Sequence, residues 1–153
     1  MRGGVAADIR KKGGDLVEKE AMEKAPLMIG SAVPTTAGKL GPKIGSVIHS
    51  PTVPEPMGQS SSTIVKKAMR SALICADQIG AHIIAFPGMG TGTGWLPPDE
   101  AAEAMVSEIG SYIEDNPATG ITEIRIVAHS EVFYKAVETA IGLASKREST
   151  RSL

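Results

Sequence analysis

Residues 85–100, AFPGMGTGTGWLPPDE, continue an isoleucine-containing apolar run at 82–86 and read as strand, glycine loop, helix. Gly88, Gly90, Gly92 and Gly94 alternate with Met89, Thr91 and Thr93. Pro97 or Pro98 suits the first turn of a helix whose early residues include Asp99 and Glu100. In α/β sheets, ligands bind at the carboxyl end of a strand. Glycines there permit positive φ and close backbone approach, so that successive N–H groups can cradle a phosphate. A second glycine segment, RGGVAADI at 2–9, opens the chain.

Outward from that stretch, strands alternate with helices. Helices are predicted over 5–12 and 15–24, split by Gly13 and Gly14. Strands are predicted over 28–34 and 43–49, with a turn at Gly38, Gly41 and Pro42 between them. A proline-rich loop covers 51–59. The clearest helix spans 60–79, with Ser60, Ser61 and Ser62 as candidate caps. Its apolar stripe is Ile64, Val65, Ala68, Met69, Ala72, Leu73 and Ala76, and Lys66, Lys67 and Arg70 face out. A buried strand at 82–86, a helix at 98–114, a buried strand at 123–128 and a helix at 131–144 follow. The alternation implies an α/β layered fold with a largely parallel sheet. One domain is expected over 1–145, with a polar, fraying tail at 146–153.

Composition narrows the function. The net charge is -1 and no basic stripe is evident, which disfavours nucleic-acid binding. No apolar run is long enough to span a membrane, and no signal peptide is evident, so a cytoplasmic protein is expected. The single cysteine, Cys75, excludes an internal disulfide framework and fits a packing role. His49, His82 and His129 have no metal-ligand spacing, and no metal or cofactor is expected. His49 and His129 fall at carboxyl ends of strands, where ligands sit. Asp8 and Asp15 read as solvated helix residues.

The glycine loop is neither of two common phosphate-binding forms. No Gly-Lys-Ser/Thr follows the glycines, and G-x-G-x-x-G fails at Thr93, Trp95 and Pro97 from its three starts. G-x-S-x-G is absent as well. Trp95 reads equally as a lid on the helix below or as a wall of a ligand cleft.

In combination, and in this order, the motifs resemble the macro domain, the ADP-ribose-binding α/β/α module. GGVAADI looks like that family's first glycine loop and following helix. IGSAVPTTAGKLGPKIGSVIHSPTV resembles its paired strands ending in Val-Ile-His, and AFPGMGTGTGWLP its second, diphosphate-binding loop. The resemblance implies a three-layer α/β/α fold with a mixed, largely parallel sheet. It implies that amides of Gly3, Gly4, Val5 and Ala6, and of Gly88, Gly90, Thr91, Gly92, Thr93 and Gly94, grip a diphosphate and distal ribose. Trp95 would stand beside them. His129, with Phe133 as the alternative, would place a ring against adenine. The expected ligand is an ADP-ribose-type small molecule, with weak hydrolysis of O-acetyl-ADP-ribose or ADP-ribose 1″-phosphate as an added activity.

The departures are equally specific. The family normally begins with a strand bearing an aspartate that reads adenine, then a second strand and Asn-Ala-Ala-Asn; none of these is in this sequence. Members that strongly hydrolyse ADP-ribose esters tend to carry an acid after Gly-Gly-Val, where this chain has Ala6. No catalytic residue is assigned. A sheet N-terminally truncated in this way is expected to leave an edge uncovered and to favour a homo-oligomer.

Overall fold

A computed structural model of the chain describes residues 4–55 and 58–151. In order, the elements are α1 (Gly4–Gly13), α2 (Asp15–Glu23), β1 (Val33–Thr36), a 3₁₀ turn (Gly38–Leu40), β2 (Ser46–His49), α3 (Ser62–Gln78), β3 (Ile83–Pro87), α4 (Pro98–Asp115), β4 (Glu123–Val127) and α5 (Glu131–Arg151). The architecture is α/β, and each predicted helix is present. The strand expected at 28–34 is displaced to Val33–Thr36. A turn in which Ser31 N–H donates to the Met28 carbonyl at 3.0 Å, with Gly30 at φ 87, occupies the earlier residues. The tail expected to fray beyond 145 instead continues α5 to Arg151.

Hydrophobic periodicity builds the centre. The Ser61 hydroxyl caps α3 by accepting the Ile64 N–H at 3.2 Å. The helix buries Val65, Ala68, Met69, Ala72, Leu73, Cys75 and Ala76 on one face. Of these, Val65, Met69, Ala72, Leu73 and Ala76 share a core cluster with Ile84 and Phe86 of β3, Leu96, Ala101, Ala102 and Met105 near and in α4, and Phe133 and Val137 of α5. Burial pushes the Cys75 thiol pKa up, which suits a packing residue.

Arg70 does not simply face out. It bridges Glu108 and Asp115 of α4, the latter at 2.8 Å, and stacks over the Tyr112 ring 5.9 Å from its centroid. Asp77 at the end of α3 accepts hydrogen bonds from the hydroxyls of Tyr112 and Thr119 and from Gly120 N–H. These bonds hold the Asp77 carboxyl below its usual pKa. Tyr112 is 2% exposed; burial, then the Asp77 carboxylate, pushes its phenol up to about 12. The network ties α3, α4 and the approach to β4 into one unit.

The strands form two separate pairs. β1 and β2 are antiparallel, with Val33 opposite His49 and Thr35 opposite Val47. β3 and β4 are parallel, with Ile84 opposite Ile124 and Phe86 opposite Ile126. No ladder joins the two pairs among the described residues. No helix of the described residues is long and apolar enough to cross a membrane.

Candidate functional site

The loop after β3 is shaped from beneath. Gly90 adopts φ 78, a region that L side chains rarely enter. A Cβ there would also meet the Ser60 hydroxyl at 2.8 Å and Val65 Cγ2 at 2.9 Å. At Gly94 a Cβ would lie 2.7 Å from both the Gly90 carbonyl oxygen and Ser60 Cβ. These two glycines let the loop backbone lie flat on the start of α3. Ser60 N–H donates to the Gly94 carbonyl at 2.8 Å, and Leu96 N–H to the Gly90 carbonyl at 3.0 Å. The Thr91 hydroxyl closes the first turn by donating to the Gly88 carbonyl at 2.9 Å.

The top of the loop is different. A Cβ at Gly92 would meet nothing within 4 Å, and Gly92 is not among the positive-φ glycines. Thr91 is half-buried, and Gly92 and Thr93 are exposed. Their N–H groups donate to no acceptor among the described residues. No lysine or arginine lies in 85–100, so the segment itself offers an anion amides and no cation. The Asp99 and Glu100 side chains already place acid in the first turn of α4.

Trp95 is the one non-glycine residue with positive φ among those described, at 54, and it is 77% exposed. Leu96, 7% exposed, covers the core instead, so Trp95 is not a lid on α4. Phe133 is 5% exposed, and its ring lies 3.2 Å from where a Gly88 Cβ would sit. It supports the loop from within the core and offers no free ring face. His129 is exposed between β4 and α5.

At the other glycine segment, Gly3 lies outside the described residues. Gly4 has φ 55 and opens α1; Val5 is exposed and Ala6 half-buried. The first turn of α1 carries no acid. This helix packs on α2 and the 3₁₀ turn, and no hydrogen bond among the described residues links Gly4, Val5 or Ala6 to the second loop. A cavity of about 370 Å³ lies away from both, lined by residues of α4, β4 and α5 that include Ile109, Ile124, Ile126 and Tyr134.

Ser60 is the residue that sequence reading placed only as a cap. Its hydroxyl is buried against the loop and has no hydrogen-bond partner among the described residues. The cap itself is Ser61. A buried unpaired hydroxyl costs stability, so Ser60→Ala is expected to raise the unfolding free energy by about 1 kcal/mol. A lower urea midpoint in this variant would show that the hydroxyl has a partner in solution.

The other histidines serve the scaffold. His82 Nδ1 lies 2.8 Å from the Gly120 carbonyl oxygen, and His49 Nε2 lies 3.0 Å from the Thr35 hydroxyl. Burial, then the charge of Lys24, lowers the His49 pKa from its ordinary 6.5. The unfolded chain therefore takes up this proton first. The contribution of His49 is fully present above about pH 6.5 and is lost as pH falls below it. Urea midpoints at about pH 7.5 and about pH 5 should differ in that direction, and His49→Gln should shrink the difference; an unchanged difference in the variant would acquit His49.

The match with known proteins extends along this framework. A family model described as Macro domain matches residues 1–105. A protein of Aquifex aeolicus is 47% identical over 143 residues, covering 94% of this chain and 83% of that protein. A Mycobacterium tuberculosis relative is 36% identical over 91% of this chain but only 37% of its own length. A solved Trypanosoma brucei macrodomain in complex with ADP-ribose superposes with a TM-score of 0.79 at 22% identity, covering 91% of this chain and 57% of that one. The chain thus spans little more than half of that solved chain. With the glycine loop hung from the parallel β3, and with the family model covering both glycine segments, the chain belongs to the macro domain family.

Proposed function

We propose that this domain binds ADP-ribose or an ADP-ribose derivative. The observation that carries the reading is the row of N–H groups at Thr91, Gly92 and Thr93 that meet no acceptor among the described residues, at the carboxyl end of a parallel strand in a segment without lysine or arginine. Family membership and the ADP-ribose named in the solved relative support it. In this reading the diphosphate lies on the loop, with Gly88, Gly90 and Gly94 shaping its backbone. The amides of Gly3, Gly4, Val5 and Ala6 also grip the diphosphate and distal ribose, Trp95 walls the ligand cleft, and His129 stacks on adenine. Hydrolysis of O-acetyl-ADP-ribose or ADP-ribose 1″-phosphate is slow or absent, because Ala6 holds the position after Gly-Gly-Val and Asp8 is exposed.

Calorimetric titration with ADP-ribose, with AMP and ribose 5-phosphate as fragments, tests this. Saturable one-to-one binding of the whole ligand, tighter than either fragment, is expected, with no acetate released from O-acetyl-ADP-ribose beyond the buffer rate. No saturable heat up to about 1 mM, an affinity of about −4 kcal/mol, would overturn the reading.

A second reading, a non-catalytic module that self-associates, is favoured by one feature. Among the described residues, no strand lies beyond β4 on the outer edge of the parallel pair. Light scattering over a dilution series distinguishes the two: a monomer at all concentrations removes self-association.

A further inference from the structure

The turn that opens the glycine loop sets an unbonded peptide beside an unbonded hydroxyl. Met89 and Gly90 are its central residues, and the Thr91 hydroxyl closes it on the Gly88 carbonyl at 2.9 Å. Gly90 stands at φ 78, as the third residue of a type II turn does. Neither group of the central peptide, the Met89 carbonyl or the Gly90 N–H, is hydrogen-bonded among the described residues. The Ser60 hydroxyl lies against the same point: a Cβ at Gly90 would sit 2.8 Å from it. It is buried, and it too lacks a partner among the described residues. Leaving such groups unbonded in the interior is costly.

The turn has a second form. Type I differs from type II by about half a rotation of the central peptide, which takes the third residue to a φ of about −90°. Glycine at 90 permits either sign of φ at little cost. The bonds that fasten the loop do not oppose the rotation. Leu96 N–H holds the Gly90 carbonyl and Ser60 N–H holds the Gly94 carbonyl, and neither carbonyl belongs to the peptide that rotates.

We propose that ligand binding rotates the Met89–Gly90 peptide, and that Ser60 is the positioning residue that holds it rotated. In the bound form the Ser60 hydroxyl donates to the Met89 carbonyl. The Gly90 N–H, on the opposite side of that peptide, then joins those of Thr91, Gly92 and Thr93 on the diphosphate. The inference rests on the ADP-ribose reading and adds a conformational step to the same site. The diphosphate selects the rotated form because it meets the Gly90 N–H in that form alone. Ser60 strengthens the selection, since its hydroxyl is unpaired before binding and paired after it.

Proton NMR and two variants test the rotation. In the free protein the Met89 Hα and the Gly90 amide proton are close, as in type II, and give a strong nuclear Overhauser effect. Saturation with ADP-ribose should weaken it by about tenfold, because the two protons separate in type I. Ser60→Ala should bind ADP-ribose about five- to tenfold more weakly, the loss of one neutral hydrogen bond, although its urea midpoint rises. Weaker binding by a more stable protein is not what damage to the scaffold produces. Ser61→Ala supplies the comparison: loss of the α3 cap should lower the urea midpoint and leave affinity unchanged. Binding with the Overhauser effect still strong would overturn the rotation and leave the binding reading standing. Unchanged affinity in Ser60→Ala, or affinity that follows the urea midpoint in both variants, would overturn the role of Ser60. No binding by the unaltered protein would overturn both the reading and the rotation.

Discussion

Gly92→Val is expected to fold as the unaltered protein does and to bind ADP-ribose at least about 100-fold more weakly. The two halves of that result have separate causes. The position is exposed, and a Cβ there meets nothing within 4 Å, so the scaffold has no reason to yield. In the proposed binding mode, branches added at Gly92 compete with the diphosphate for the open space at the top of the loop. A charge-assisted hydrogen bond contributes about 1.5–3 kcal/mol, and losing one or two of them accounts for a change of that order. Calorimetry and a urea melt on the same sample separate the effects. Unchanged affinity would remove the loop from the site, and a large fall in stability would show that Gly92 is packed.

Phe133→Ala should cost about 3–5 kcal/mol of stability, the range for truncating a buried aromatic. The ring is inside the core cluster and touches the loop through Gly88, so the cost falls on the site as well. For a domain with an ordinary total of about 5–15 kcal/mol, that is a large share. ADP-ribose affinity should fall together with the urea midpoint, because the loop loses its floor. Phe133→Leu, which refills much of the volume, should recover most of both. A loss below about 1 kcal/mol for the alanine variant would contradict the packing. A loss of binding in both variants with stability intact would mean that the ring meets the ligand directly.

Much of the scaffold was legible in local pattern. The apolar residues of α3 recur at helical spacing, and a serine before them supplies the cap. The passage from β3 through glycines to Pro98 was read nearly to the residue, because glycine and proline act through their own backbone limits. The end of α5 was missed, because a polar run of good helix formers is indistinguishable from a solvated tail until the helix is seen to continue. Arg70 was assigned to the outside because its partners Glu108 and Asp115 lie in another helix.

By itself, the sequence determined that this is an α/β chain with a bare-amide loop between a strand and a helix, and that neither lysine nor arginine lies in that loop. Those features depend on neighbours a few residues apart. Only the tertiary structure decided which glycines the scaffold needs and which one is open. Gly90 and Gly94 are pressed on Ser60, about thirty residues earlier, while Gly92 faces empty space. Only it showed that β2 and β3 share α3 without pairing among the described residues. Strand partners are chosen by contacts between residues far apart in the chain, and period-two patterns name the face of a strand but not its neighbour.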